Sequence, residues 1–307
     1  EYAVGSTGLA RSELLFPYIQ WNAVTFALSA AALAWIASDL AGRWLQDRGG
    51  KRSVQLATFL AASVTGLWLL LGSPQFLFNS GFTNFVMGVA VVATASYLAI
   101  RSMRSARTLG WFLIPLAAFA AIGLWTPLVI TLIPAGVIVA VALIRYRPVL
   151  GFAWLGANAI VGGVLAWQQG SAILAADEGD GAGEFAETIG AVSTGMAPFN
   201  IAAAMAAPLL AVTIAIALRN RRPLAFGIAA PSVLTAVLAL AFIPGTDAAG
   251  VSRIQSYYVL KALDASLLVT APLLAAAASI AFVLIVRQLS TITAVMASAG
   301  TVVAAVA

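Results

Sequence analysis

Long apolar runs, separated by short charged or proline- and glycine-containing connections, recur along the whole chain. They place helices over roughly 18–41, 53–72, 83–100, 109–124, 127–144, 149–168, 196–218, 224–243, 265–286 and 290–307. Each is close to the length of about 20 residues that a helix needs to cross a bilayer. Pro17, Pro74, Pro127, Pro148, Pro223 and Pro244 fall at the ends of these runs. A missing N–H there breaks no interior hydrogen bond. The expected architecture is all-α: a polytopic integral membrane protein with about ten transmembrane helices, forming one domain over 1–307.

The polar positions assign sides. Connections 42–52, 101–108, 145–148, 219–223 and 287–289 carry thirteen of the sixteen basic residues, among them Arg43, Arg101, Arg145, Arg219 and Arg287. The opposite set, 1–17, 73–82, 169–195 and 244–264, carries only Arg11, Arg253 and Lys261 but nine of the eleven acids. Cytoplasmic loops are enriched in Lys and Arg, so the first set is read as cytoplasmic and the second as outer-face loops. Asp39 lies one helical turn before Arg43 and is expected to pair with it. Small residues in the spans, such as Gly162 and Gly163, are expected to let helices approach closely.

Composition agrees and narrows the chemistry. The chain is 62% hydrophobic and 9% charged, with mean hydropathy +1.00, whereas soluble domains carry roughly 25% charged residues. There is no cysteine and no histidine, which excludes disulfides, thiolate or imidazole catalysis and the usual zinc and haem ligation. The net charge of +5 reflects basic cytoplasmic loops and does not indicate nucleic-acid binding. The cytoplasmic connections are too short for a nucleotide site, and no GxxxxGK[ST] phosphate loop is present. Chemistry is therefore expected in the membrane or on the outer face. The chain opens at Glu1 without methionine and closes on an apolar run, which reads as a piece of a longer protein.

Three outer segments hold candidate residues. SRIQSYYVLKALD, 252–264, leads into a span. Tyr257 and Tyr258 suit the interfacial aromatic belt, and Arg253, Lys261 and Asp264 fall near one helical face. Ionisable groups at the start of a span are costly unless paired, snorkelling or lining a polar cavity. The segment therefore reads either as a Lys–Asp anchor or as a phosphate site in which Asp264 orients Lys261. SPQFLFNSGFTNF, 73–85, sets Gln75, Asn79 and Asn84 among four phenylalanines. Amides and aromatic faces suit a sugar, and they equally suit a hairpin lying in the headgroups. Segment 169–195 holds Asp177, Glu178, Asp180, Glu184 and Glu187 among glycines. It lacks calcium-loop spacing and reads as a flexible solvated loop, with a weak divalent-cation site as the alternative. No other metal or cofactor site is expected. The spans carry no ionisable residue near their middles, which argues against an ion-coupled transporter.

The segments FNSGFTNF (78–85), GLWTPLVITLIPAG (123–136) and QSYYVLKALDA (255–265) resemble the membrane-embedded part of GT-C superfamily glycosyltransferases of the actinobacterial cell-envelope type. The resemblance implies transfer of a sugar from a polyprenyl-phosphate donor to an envelope glycan or glycolipid on the outer face of a bacterial plasma membrane. It further implies that Arg253, Lys261, Tyr257 and Tyr258 bind the donor phosphate, while Gln75, Asn79 and Asn84 are the sugar-contact candidates that the amides and aromatic faces of 73–85 offer. The family's catalytic Asp sits in the first outer loop after the first span. Only Glu1 and Glu13 precede the first span here, so the catalytic acid is expected upstream of this piece and no catalytic residue is assigned. The partners implied are membrane lipid, the lipid-linked donor and the glycan acceptor. A lipid-linked substrate transporter or flippase, and a noncatalytic scaffold for an envelope enzyme, remain the alternatives.

Overall fold

The structure, a computed structural model, describes residues 11–46, 49–72, 74–79, 82–102, 109–177, 198–217, 222–241 and 257–306. All regular structure among them is helical: α1 (Arg11–Gln46), α2 (Lys51–Leu71), α3 (Gln75–Asn79), α4 (Thr83–Ser102), α5 (Leu113–Trp125), α6 (Ile133–Tyr146), α7 (Pro148–Asp177), α8 (Pro198–Ala217), α9 (Arg222–Ala241) and α10 (Tyr257–Val306). Among the described residues, five helical segments are long and apolar enough to cross a membrane: Pro17–Gln46, Lys51–Leu71, Thr83–Ser102, Leu128–Tyr146 and Lys261–Thr291. Shorter apolar helices cover Gly110–Leu124, Pro148–Val164 and Ala206–Ala217.

The expected pair of final spans is corrected. Runs 265–286 and 290–307 belong to one unbroken helix of 50 residues, about 75 Å long at 1.5 Å per residue. Arg287, Gln288 and Leu289 include neither glycine nor proline, and two polar residues and a leucine without a helix breaker do not reverse a chain. The hydroxyls of Ser290 and Thr291 both donate to the Arg287 carbonyl at 2.8 Å, so the turn expected at 287–289 is ordinary helix. Three expected outer loops are also shortened by helix. α1 begins at Arg11 with Pro17 inside it, α7 continues to Asp177, and α10 already starts at Tyr257. The acids from Glu178 to Glu187 lie outside the described residues, as does the flexibility expected of that stretch.

Between α5 and α6 the chain tightens into a 3₁₀ helix over Thr126–Leu132. Pro127 lacks an N–H, and Pro134, in the first turn of α6, cannot bond the carbonyl four residues back. The tighter 3₁₀ turn suits a stretch caught between two such residues. Leu128 and Thr131 within it are completely buried.

α4 is the hub, packed against α1, α5, α6, α9 and α10. Its sequence explains this. Gly88, Ala90, Ala93, Ala95, Ser96 and Ala99 are all buried in it, and small side chains let neighbouring backbones come close without lipid between them. Gly88 is the tightest case toward the α5–3₁₀ corner. A Cβ there would stand 2.8 Å from Leu128 Cδ1 and 3.3 Å from Leu124 Cβ. The expected close approach at Gly162 and Gly163 is not found, since a Cβ on either would meet nothing within 4 Å. α7 packs chiefly on α6, with Trp154 also donating its indole N–H to the Trp111 carbonyl at 3.1 Å, and Gly162 and Gly163 are exposed. Gly88→Leu is therefore expected to destabilise the detergent-solubilised protein by about 1–3 kcal/mol through overpacking, while Gly162→Leu leaves it unchanged. Equal melting temperatures for the two variants would contradict this packing.

Candidate functional site

The starts of α4 and α10 and the stretch of α1 from Asn22 to Phe26 lie together at the end of the bundle opposite the Asp39 arginines. Lys261, 6% exposed, places its Nζ 4.7 Å from the centre of the Phe82 ring and 5.5 Å from that of Phe85. Two segments that are 170 residues or more apart in the chain thus form one centre. A desolvated ammonium over aromatic faces gains about 2 kcal/mol from the ring quadrupoles, which offsets part of the cost of burying it.

The phenylalanines are held by local folding of the 74–85 segment. The Leu77 N–H donates to the Pro74 carbonyl at 2.9 Å, Phe82 N–H to Leu77 at 2.8 Å and Val86 N–H to Phe82 at 3.2 Å. Leu77 is buried, and Phe78 packs on Phe26 of α1 with ring centres 5.4 Å apart. Thr83 donates its hydroxyl to Asn22 Oδ1 of α1 at 2.5 Å, and both residues are buried. Asn22 was not singled out from the sequence. Its signal is an amide set among the apolar residues of a span, next to Trp21.

The other candidates are placed as follows. Gln75 and Asn84 are exposed at this end of the bundle. Asn79 closes α3, and Tyr257 and Tyr258 form the first turn of α10; the side chains of all three lie outside the description, and Arg253 lies outside the described residues. Asp264 is half-buried one turn beyond Lys261. Two ion pairs occur among the described residues, both on Asp39, and Lys261–Asp264 is not one of them. The Phe82 and Phe85 rings are set against the ammonium. No group of three Asp or Glu side chains converges to hold a metal among the described residues.

A second polar centre joins α1 to α4 at the arginine-bearing end. Asp39 Oδ2 accepts from Arg43 Nε at 2.7 Å and from the Tyr97 hydroxyl at 2.5 Å, and Arg101 Nη1 lies 3.4 Å away. The Arg43 pair is the one expected from the i, i+4 spacing. Tyr97 and Arg101 come only from the packing of α4. Trp35 meets the Tyr97 ring edge-on at 5.7 Å, and the Arg101 guanidinium lies 5.6 Å from the Trp35 ring. A third set, Ser232 of α9 with Ser266 and Thr270 of α10, shares hydroxyl hydrogen bonds of 2.9 and 2.5 Å. All three residues are completely buried, and the set ties the two helices together.

An apolar groove of about 550 Å³ runs along α4 between α1 and α5. Its lining includes Trp21, Leu28, Met87, Leu98, Leu116 and Phe119. On α4, Met87, Ala90, Val91 and Leu98 face the groove, while Phe85 projects from the other side of the helix at 100° per residue. The groove and the Lys261 centre are therefore separated by α4.

Helices of this length and hydropathy, joined around a small-residue hub with polar centres at both ends, define an all-α, multi-helix membrane protein. No protein-family model matches the chain, and neither a curated protein nor a solved structure is significantly similar to it.

Proposed function

We propose that the chain is the membrane-embedded part of a GT-C-type glycosyltransferase that uses a polyprenyl-phosphate sugar on the outer face of a bacterial plasma membrane. The observation that supports this reading best is the centre at the head of α4 and α10. There a buried lysine is seated against the aromatic residues of FNSGFTNF, with the exposed amides of Gln75 and Asn84 at the same end. A cation in that place meets the need of the reaction. The departing polyprenyl phosphate gains negative charge, and a fixed ammonium of low solvation stabilises it as the acceptor hydroxyl attacks the anomeric carbon. The reading assigns no catalytic base to the described residues. Full-length protein in proteoliposomes, given a radiolabelled polyprenyl-phosphate sugar and an envelope glycan acceptor, is expected to transfer label. Retention of all label on the lipid, with label moving between leaflets instead, would favour the flippase reading.

With α10 as a single crossing, this reading has nine crossings: α1, α2, α4 to α9 and α10, with the arginine-bearing ends in the cytoplasm. The protein has no native cysteine, so single cysteines report sidedness directly. In intact cells, an impermeant maleimide is expected to label Gln75→Cys and to reach Tyr146→Cys only after permeabilisation. Both native residues are exposed. Labelling of both sites in intact cells would overturn this orientation.

A further inference from the structure

We infer that the groove between α1 and α5 is a selective binding site for an anionic phospholipid of the cytoplasmic leaflet. Its acyl chain lies along α4 and its phosphate sits at Arg101. The inference does not depend on the glycosyltransferase reading, because α4 separates this groove from Lys261. The groove has a floor on α4 and walls on α1 and α5, two helices that pack on α4 far more than on each other. Its lining is almost wholly apolar, and its rims, Leu28, Leu116 and Phe119, are strongly exposed. Groove residues Met87 to Leu98 cover about 16 Å of helix at 1.5 Å per residue, close to one leaflet of a hydrocarbon core about 30 Å thick.

Charge at one end of the groove identifies the occupant. Leu98 of α4 and Ala32 of α1 line the groove at its arginine-side end. One turn further along the same faces stand Arg101 and Trp35, in contact with each other. Arg101 shares Asp39 Oδ2 with Arg43 and Tyr97, at the longest of the three distances. An oxygen already accepting two short bonds leaves most of the five guanidinium donors of Arg101 for another acceptor. Two arginines around one carboxylate give this end an excess of positive charge, and Arg104 and Arg107 follow in the sequence. A bidentate guanidinium–phosphate contact suits that geometry. Basic pockets between helices on the cytoplasmic side are sites where anionic headgroups bind. A zwitterionic lipid would fill the groove equally well but would bring a second positive charge to the arginines.

The test uses the full chain in nanodiscs and a phosphatidylglycerol carrying a diazirine in its acyl chain. Cross-links are expected to concentrate between Trp21 and Ala32 of α1 and between Met87 and Leu98 of α4. Unlabelled phosphatidylglycerol should compete about tenfold better than phosphatidylcholine, the gain from one charge-assisted contact. Arg101→Gln should abolish that preference while leaving cross-linking in phosphatidylcholine unchanged. Ala120→Phe, which fills the groove, should remove the cross-links from both helices. Equal competition by the two lipids, cross-links spread evenly onto α7, or an Arg101→Gln protein that keeps the preference would each overturn the site. If Arg101→Gln does not fold, the wild-type competition decides alone.

Discussion

Asp39→Ala is expected to lower the stability of the solubilised protein by about 2 kcal/mol, below the 3–5 kcal/mol typical of breaking a fully buried pair. The carboxylate stands between two guanidiniums and the Tyr97 hydroxyl, and its side chain is 18% exposed. Removal leaves two like charges facing each other across α1 and α4 and strips the tyrosine of its acceptor. The arginines are about a third exposed, so water screens part of the repulsion, which is why the smaller figure applies. Tyr97→Phe, which deletes one hydrogen bond and no charge, should cost about 1 kcal/mol. Thermal unfolding followed by tryptophan fluorescence would rank the two. An Asp39→Ala protein that melts with the wild type would show that the cluster contributes nothing to the α1–α4 contact.

Lys261→Met in the full-length protein is expected to lower donor binding or turnover about ten- to a hundredfold, the worth of one charge-assisted contact of about 1.5–3 kcal/mol. Methionine is the informative replacement. Its thioether packs favourably against aromatic rings, so the cavity over Phe82 and Phe85 stays filled and the melting temperature should hardly change. Asp264→Asn is expected to have little effect, since the structure sets the ammonium on the rings without an ion pair to Asp264. A fall in stability with activity intact would make Lys261 a helix anchor and would remove the main support for the glycosyltransferase reading.

Composition and the spacing of charge were enough to establish an all-α membrane protein, because apolar run length and the scarcity of charge answer to the bilayer directly. The i, i+4 pair Asp39–Arg43 was also readable, since helical geometry alone brings those side chains together. The continuous α10 was not. Hydropathy marks polar residues at 287–290 but does not say whether the backbone turns there, and that depends on the hydrogen bonds it keeps. Lys261 could be picked out from sequence as a costly charge, yet its nearest sequence partner, Asp264, is not its ion-pair partner. The Phe82–Phe85–Lys261 centre, the Asn22–Thr83 bond and the addition of Tyr97 and Arg101 to Asp39 all join residues from different helices. A residue's own sequence neighbourhood carries its helical face, but which face of another helix lies opposite is decided by packing. Here that packing is set by the small residues of α4, which let five helices close around one.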